Sequence, residues 1–407
     1  MEAPVYVLQP ARVAVLLAWL GGCGAFAQPR ASVLPPLAVA TEETPRALAV
    51  AQAEEETTAA IVLVTIDGAR WQEIFEGVDA QLARRAGLAP ADVVAAPVLL
   101  PNIHALIARG TAVGAPGHGE PVSASGPTFI SLPGYMELFA GRKTSCVTNG
   151  CPRVRGRTLA DEVRDAPAVE AEDVAVIASW ATYARAATSS PARITVSAGR
   201  HGGETRDALR VDAVASALLD RAENAAPAPG DEDYRPDRFT SELALRYLTA
   251  RRPRLLAVGL GDTDEHAHAG DYRSYLAALR AADAFVGDLT ATLARLGAHG
   301  RATTIVVTAD HGRSADFVNH GRDPESARVF LIAGGGAVPA RGPVDASASH
   351  HLADVAPTLR SLLALPDVPG GGAPIRELLP TGAGDLGARE AHAFVHAEAG
   401  GPVDPAR

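Results

Sequence analysis

Three short stretches hold acidic and histidine side chains in spacings that could do metal chemistry: Asp67; Asp262, Asp264, His266 and His268; and Asp310-His311, with His320 further on. Carboxylate oxygen and imidazole nitrogen are the donors that borderline divalent metals such as zinc accept, at about 2.0–2.2 Å. Asp264 and His268 stand four apart, which puts both side chains on one face if the segment is helical. Asp262 and His266 repeat that spacing two residues earlier, so the spacing alone leaves the register open. Each pair by itself is more often a cap or a surface pair than a ligand set. Their weight comes from the elements that must position them.

Those elements are apolar runs closed by turn residues. Ile61–Ile66 leads into Asp67-Gly68, and similar runs are Asp173–Ile177, Leu255–Leu260, Thr304–Thr308 and Val329–Ala333. Continuous β-branched runs suit strands buried on both faces. Between them lie helical patterns, the clearest placing Leu276, Leu279, Ala282, Val286, Leu289 and Leu293 on one face. Strands alternating with helices predict a largely parallel sheet covered on both sides. In such sheets ligands bind outside the carboxyl ends of the strands, and each acidic or histidine cluster follows one of these runs. Residues 223–238, rich in Ala, Pro and Asp, read as a surface loop. No internal repeat is present.

Charge excludes one class of partner. With 37 basic and 47 acidic residues the net charge is −10, whereas a nucleic-acid binder presents a cationic face. At the N-terminus, Arg12, the apolar run Val13–Leu20 and Ala25-Phe26-Ala27 have the features of a secretory signal over residues 1–27. Leu20-Gly21-Gly22-Cys23 also resembles a lipoprotein box, which would attach the chain to a membrane through a lipid on Cys23. Either reading places the protein outside the cytoplasm: periplasmic, secreted or anchored in the envelope. Residues 28–59 read as a disordered linker and 381–407 as a flexible tail. In an oxidising compartment the remaining cysteines, Cys146 and Cys151, favour a small disulfide loop suited to holding Asn149 in place.

Taken in order, Ile66-Asp67-Gly68, Ser131-Leu132-Pro133-Gly134-Tyr135, Asp264-Glu265-His266-Ala267-His268, Asp310-His311-Gly312 and His320-Gly321 resemble the motifs of the alkaline-phosphatase superfamily. They look closest to its nucleotide pyrophosphatase/phosphodiesterase-like branch. The resemblance covers about residues 61–365, including Leu352–Thr358, which is similar to the superfamily's late helix. It implies a three-layer α/β/α catalytic domain over 60–380 with a mostly parallel central sheet. It also implies two divalent metal ions, zinc by donor type. The family pattern assigns Asp67, Ser131, Asp310 and His311 to one ion and Asp264, His268 and His320 to the other. It favours Asp264/His268 over Asp262/His266, because Ala269-Gly270 matches the family's flank.

The same resemblance makes Ser131 a nucleophile that forms a phosphoserine on a small-molecule phosphate ester, monoester or diester, with Asn149 donating to a phosphoryl oxygen. Serine replaces the threonine usual in phosphodiesterase relatives. The structural alternative is that Ser131 caps a helix running from Leu132 toward Arg142. His350 and His351 compete with His320 but fall near the start of the Leu352 helix. Arg142 and Lys143 are either substrate contacts or solvated cations. A sulfatase is the nearest rival, since Ser131-x-Pro133 is similar to the formylglycine signature. That signature continues with arginine where Tyr135 stands, and sulfatases carry a second aspartate where Gly68 stands. Phosphomutases of the superfamily carry a large inserted cap domain, for which no segment is long enough. An exported relative that binds metal without turnover is the alternative from another class.

Overall fold

The computed structural model describes residues 58–227, 229–230 and 233–381. The expected signal segment with Cys23, the linker up to residue 57 and the tail from residue 382 lie outside the described residues.

Eleven strands form among the described residues: β1 Ala60–Ile66, β2 Gly110–Val113, β3 Val122–Ser123, β4 Val174–Ala178, β5 Thr195–Ala198, β6 Leu255–Leu260, β7 Thr303–Thr308, β8 Arg328–Val329, β9 Leu331–Gly335, β10 Gly342–Pro343 and β11 His350–His351. Eight of them make one sheet in the order β10-β2-β9-β7-β1-β6-β4-β5. Strand β1 pairs in parallel with both β6 and β7, and β4 pairs in parallel with β5 and β6. Only β9 runs against its neighbours β2 and β7. This is the expected α/β architecture with a large, mostly parallel central sheet.

The uniform burial of β1, β6 and β7 follows from helices covering both faces, which is why these sequences show no alternation. The Tyr272–Arg295 helix carries the predicted stripe, and Leu276, Leu279, Ala282, Val286, Leu289 and Leu293 are all buried. The Val329–Ala333 run is not one strand. Val329 belongs to β8, which pairs with β3 in a separate three-stranded sheet, and Leu331 opens β9. Phe330 between them is fully buried, so a continuous apolar run here marks a crossing between sheets.

The expected surface loop at 223–238 is also corrected. Tyr234 and Arg235 are each 1% exposed. Arg235 donates to the Ala178 and Ser197 carbonyls, both 3.0 Å away, at the ends of β4 and β5. Carbonyls at strand ends need a donor when water is excluded, and this arginine supplies it from a segment of loop-like composition.

Candidate metal centre

The three middle strands deliver the polar residues. Asp67 directly follows β1, Asp310-His311 begins two residues past β7, and the Asp262–His268 helix begins two residues past β6. Gly68 has φ +58°, a conformation glycine adopts without cost. A side chain there would run into Asp264 Oδ1 and Arg313 Nη1. Its N–H donates to Asp310 Oδ1 at 3.2 Å, linking the ends of β1 and β7. His320 is tied to the segment before Ser131, because Phe129 N–H donates to the Gly321 carbonyl at 2.7 Å.

Ser131 opens the Ser131–Ala140 helix. The N-cap is Ile130, and no side-chain cap bond forms, so the capping alternative for Ser131 fails. The helix stops at Gly141 with φ +63°, short of Arg142. The serine hydroxyl instead points into the acidic cluster, donating to Asp67 Oδ1 at 3.2 Å with His311 Nε2 at 3.3 Å. Gly134 lets the helix sit against the end of β7, since a Cβ there would collide with the Asp310 carbonyl.

His311 Nδ1 faces the Gly312 carbonyl at 2.8 Å, a partner that only accepts. Nδ1 therefore donates to it, and Nε2 is left facing Asp67 Oδ1 at 3.4 Å and Asp310 Oδ2 at 3.3 Å. His320 repeats the arrangement, with Nδ1 3.1 Å from the Phe129 carbonyl and Nε2 2.9 Å from His268 Nε2. His268 Nε2 lies 3.1 Å from Asp264 Oδ2, and His320 Nε2 lies 3.8 Å from Asp264 Oδ1. Ligand atoms of Asp264, His268 and His320 are mutually within 4.8 Å, and so are those of Asp67, Asp264 and His311. Asp264 belongs to both groups, which the reading of two separate ligand sets did not anticipate.

This donor set fits divalent cations. Asp310 Oδ2 is buried with no hydrogen-bond partner, a costly state unless something positive meets it. Two imidazole nitrogens facing each other at 2.9 Å likewise suit a shared electrophile. Burial, with Asp67 next to it, drives the Asp310 carboxyl well above the usual carboxylate range. Burial opposes charge on His311, but Asp310 and Asp67 outweigh it and raise the imidazole to about 9. Burial, reinforced by the charge on His311, lowers His320 to about 3. Burial also works against the Asp264 charge, yet His268 and Arg313 hold this carboxyl far below its ordinary value.

Arg313 was missed at the sequence level, although it directly follows Asp310-His311-Gly312. It is 1% exposed, pairs with Asp264 Oδ1, and is held by the Phe317 and Val318 carbonyls. Tyr135 was seen only as a departure from the sulfatase signature. Its hydroxyl donates to Asp67 Oδ2 at 2.9 Å, while Thr263 donates to the Asp67 carbonyl at 2.6 Å. Asp262 faces elsewhere, accepting from Tyr234 at 2.7 Å. His350 and His351 lie in β11, and His350 sits between Asp354 and Glu377 at 3.8 and 3.4 Å.

A cleft of about 250 Å³ opens over Asp67, Ser131, Asp264, His268 and His320, with Asn149 and Trp180 on its walls. Cys146 and Cys151 form a disulfide, and the loop between them carries Asn149. The amide oxygen of Asn149 accepts from Leu132 N–H at 3.0 Å, which leaves its NH2 group free to donate.

A family model described as the metalloenzyme superfamily matches residues 240–367, the stretch holding Asp264, His268, Asp310, His311 and His320. Two curated 2,3-bisphosphoglycerate-independent phosphoglycerate mutases are similar to parts of the chain. The one from Rippkaea orientalis is 28% identical over 120 residues, covering 28% of this chain and 22% of the mutase. The one from Lawsonia intracellularis is 29% identical over 137 residues, covering 32% and 25%. The chain thus spans only about a quarter of these relatives' length. Among solved structures, the phosphonate monoester hydrolase of Silicibacter pomeroyi has a TM-score of 0.51 at 15% identity, covering 80% of this chain and 78% of its own. A protein in the alkaline phosphatase superfamily from Vibrio parahaemolyticus has a TM-score of 0.50 at 13% identity, covering 80% and 72%. A putative sulfatase from Bacteroides thetaiotaomicron has a TM-score of 0.51 at 12% identity, covering 79% and 74%. The fold is that of alkaline-phosphatase-like hydrolases and sulfatases. The family match and the residue clusters together support divalent metal binding.

Proposed function

We propose that the chain is an exported, metal-dependent hydrolase of phosphate esters working through Ser131. One observation carries the reading: the Ser131 hydroxyl sits at a helix start, 3.2 Å from Asp67 and 3.3 Å from His311. Two divalent ions, zinc for these donors, held by Asp67, Ser131, Asp310 and His311 and by Asp264, His268 and His320, would lower the serine pKa and offset phosphoryl charge. Ser131 Oγ forms a bond to phosphorus as the bond to the departing alkoxide breaks, and water then cleaves the phosphoserine. The Asn149 NH2 group donates to a non-bridging oxygen as charge builds there. The N-terminal end of the Ser131–Ala140 helix favours the same anion.

Sulfatase chemistry is disfavoured at two positions. Gly68 has no room for a second aspartate, and Tyr135 occupies the signature's arginine position while serving as a donor to Asp67. Export rests on the signal-like N-terminus, and the Cys146–Cys151 disulfide suits an oxidising compartment. Zinc-loaded protein should be assayed side by side on an aryl phosphate, an aryl phosphodiester and an aryl sulfate. We expect turnover of at least one phosphate and little of the sulfate. Turnover of the sulfate alone, or of none, would overturn the proposal.

A further inference from the structure

We propose that a second anion subsite lies behind the Cys146–Cys151 loop and receives a second negatively charged group of the substrate. This rests on the phosphate-ester reading above and names the class of ester: one carrying a further anionic group.

A cavity of about 470 Å³ is lined by Arg142, Lys143, Arg153 and Arg155, with both cysteines of the disulfide among its walls. Residues 141–158 contain these four cations and Arg157 but no carboxylate, in a chain of net charge −10. Arg193, Arg206, Arg246 and Arg251 each pair with a carboxylate. In the cationic stretch only Arg157 does so, with Asp165. Arg142 and Arg153 are positioned by neutral acceptors, the Arg155 carbonyl at 2.9 Å and the Thr188 carbonyl at 2.9 Å, which hold the guanidinium groups without cancelling their charge. Arg153 also feels the charges of Glu204 and Asp161, whereas Arg142, Lys143 and Arg155 have no carboxylate within salt-bridge distance among the described residues. Cations converging on a concavity attract anions, and arginine forks bind phosphate or carboxylate through paired hydrogen bonds.

The cavity is near enough to serve the cleft. Met136 and Ala140 form part of its wall and lie on the helix that Ser131 opens, about 7.5 and 13.5 Å along its axis at 1.5 Å per residue. Asn149 faces the cleft, whereas Cys146 and Cys151, at most three residues away, face the cavity. One short loop therefore separates the two. The fitting substrates carry two anions roughly 10–15 Å apart, by the same helix geometry.

The test uses hexane-, octane- and decanediol bisphosphates against alkyl monophosphates of equal length. We expect kcat/KM for one bisphosphate to exceed that of its monophosphate by about tenfold, the worth of one charge-assisted contact. Lys143→Ala with Arg155→Ala should abolish that preference and leave aryl phosphate turnover unchanged. Lys143 is the only lysine of the chain, so its acetylation can be followed by peptide mass spectrometry as a readout independent of turnover. Octane bisphosphonate should slow that acetylation at concentrations where inorganic phosphate does not. Aryl phosphate turnover with no bisphosphate preference at any length would overturn the inference, as would equal protection by inorganic phosphate. Protection of Lys143 without any ester turnover would instead overturn the phosphate-ester reading and leave the anion subsite standing.

Discussion

Ser131 Oγ touches two groups that bear on its reactivity, Asp67 and His311, and contributes no cap to its own helix. Ser131→Ala should therefore lower kcat by several orders of magnitude while metal content, measured by elemental analysis, stays close to wild type. Loss of metal in parallel with loss of activity would leave Ser131 as a metal-holding residue and remove the case for a nucleophile. Arg313 supports a different prediction. It and Asp264 are both buried, and removing one member of a buried ion pair leaves an uncompensated charge costing about 3–5 kcal/mol. Chemical denaturation of Arg313→Leu should show a loss of that size in chelated protein and a smaller one with zinc, because a bound cation takes over the neutralisation of Asp264. An equal loss in both conditions would mean that no cation reaches Asp264.

At the scale of elements, the Ser131–Ala140 helix and the disulfide loop act as one device. The helix docks through Gly134 against the Asp310 carbonyl, and its Leu132 N–H orients the Asn149 amide. The loop closes so few residues that its entropic contribution is only about 2 kcal/mol, so its main role is positional. Cys146→Ser with Cys151→Ser should cost about that much stability and reduce kcat more than it raises KM, with metal content unchanged. An unaltered kcat would show that Asn149 does not need the loop. A second tie fixes His320. Strand β3 pairs with β8 and β11, and the Phe129–Gly321 bridge then seats His320 over His311 with ring centroids 4.1 Å apart.

Across the whole molecule, the sheet gathers three carboxylates, Asp67, Asp264 and Asp310, each at most 7% exposed. Arg313 and His311 offset this concentration of buried carboxylates only in part, and cations bound to the native state would offset the rest. Ligand at a hundredfold excess over its Kd adds about 2.7 kcal/mol to stability. Chelation should therefore lower Tm by several degrees and zinc restore it, as read by calorimetry; a Tm indifferent to metal would remove the metal centre from the account. The sequence by itself determined the layered α/β class, because doubly buried strands must be continuous apolar runs. It also determined which Asp and His residues stand at strand ends, because turns there interrupt those runs. Two features were decided only by tertiary structure. Asp264 joins both ligand groups and pairs with Arg313, a contact spanning 49 positions. Tyr234 and Arg235 are buried in a stretch of loop composition. Each depends on which distant segments share space, and periodicity, being a local property of the chain, carries no record of that.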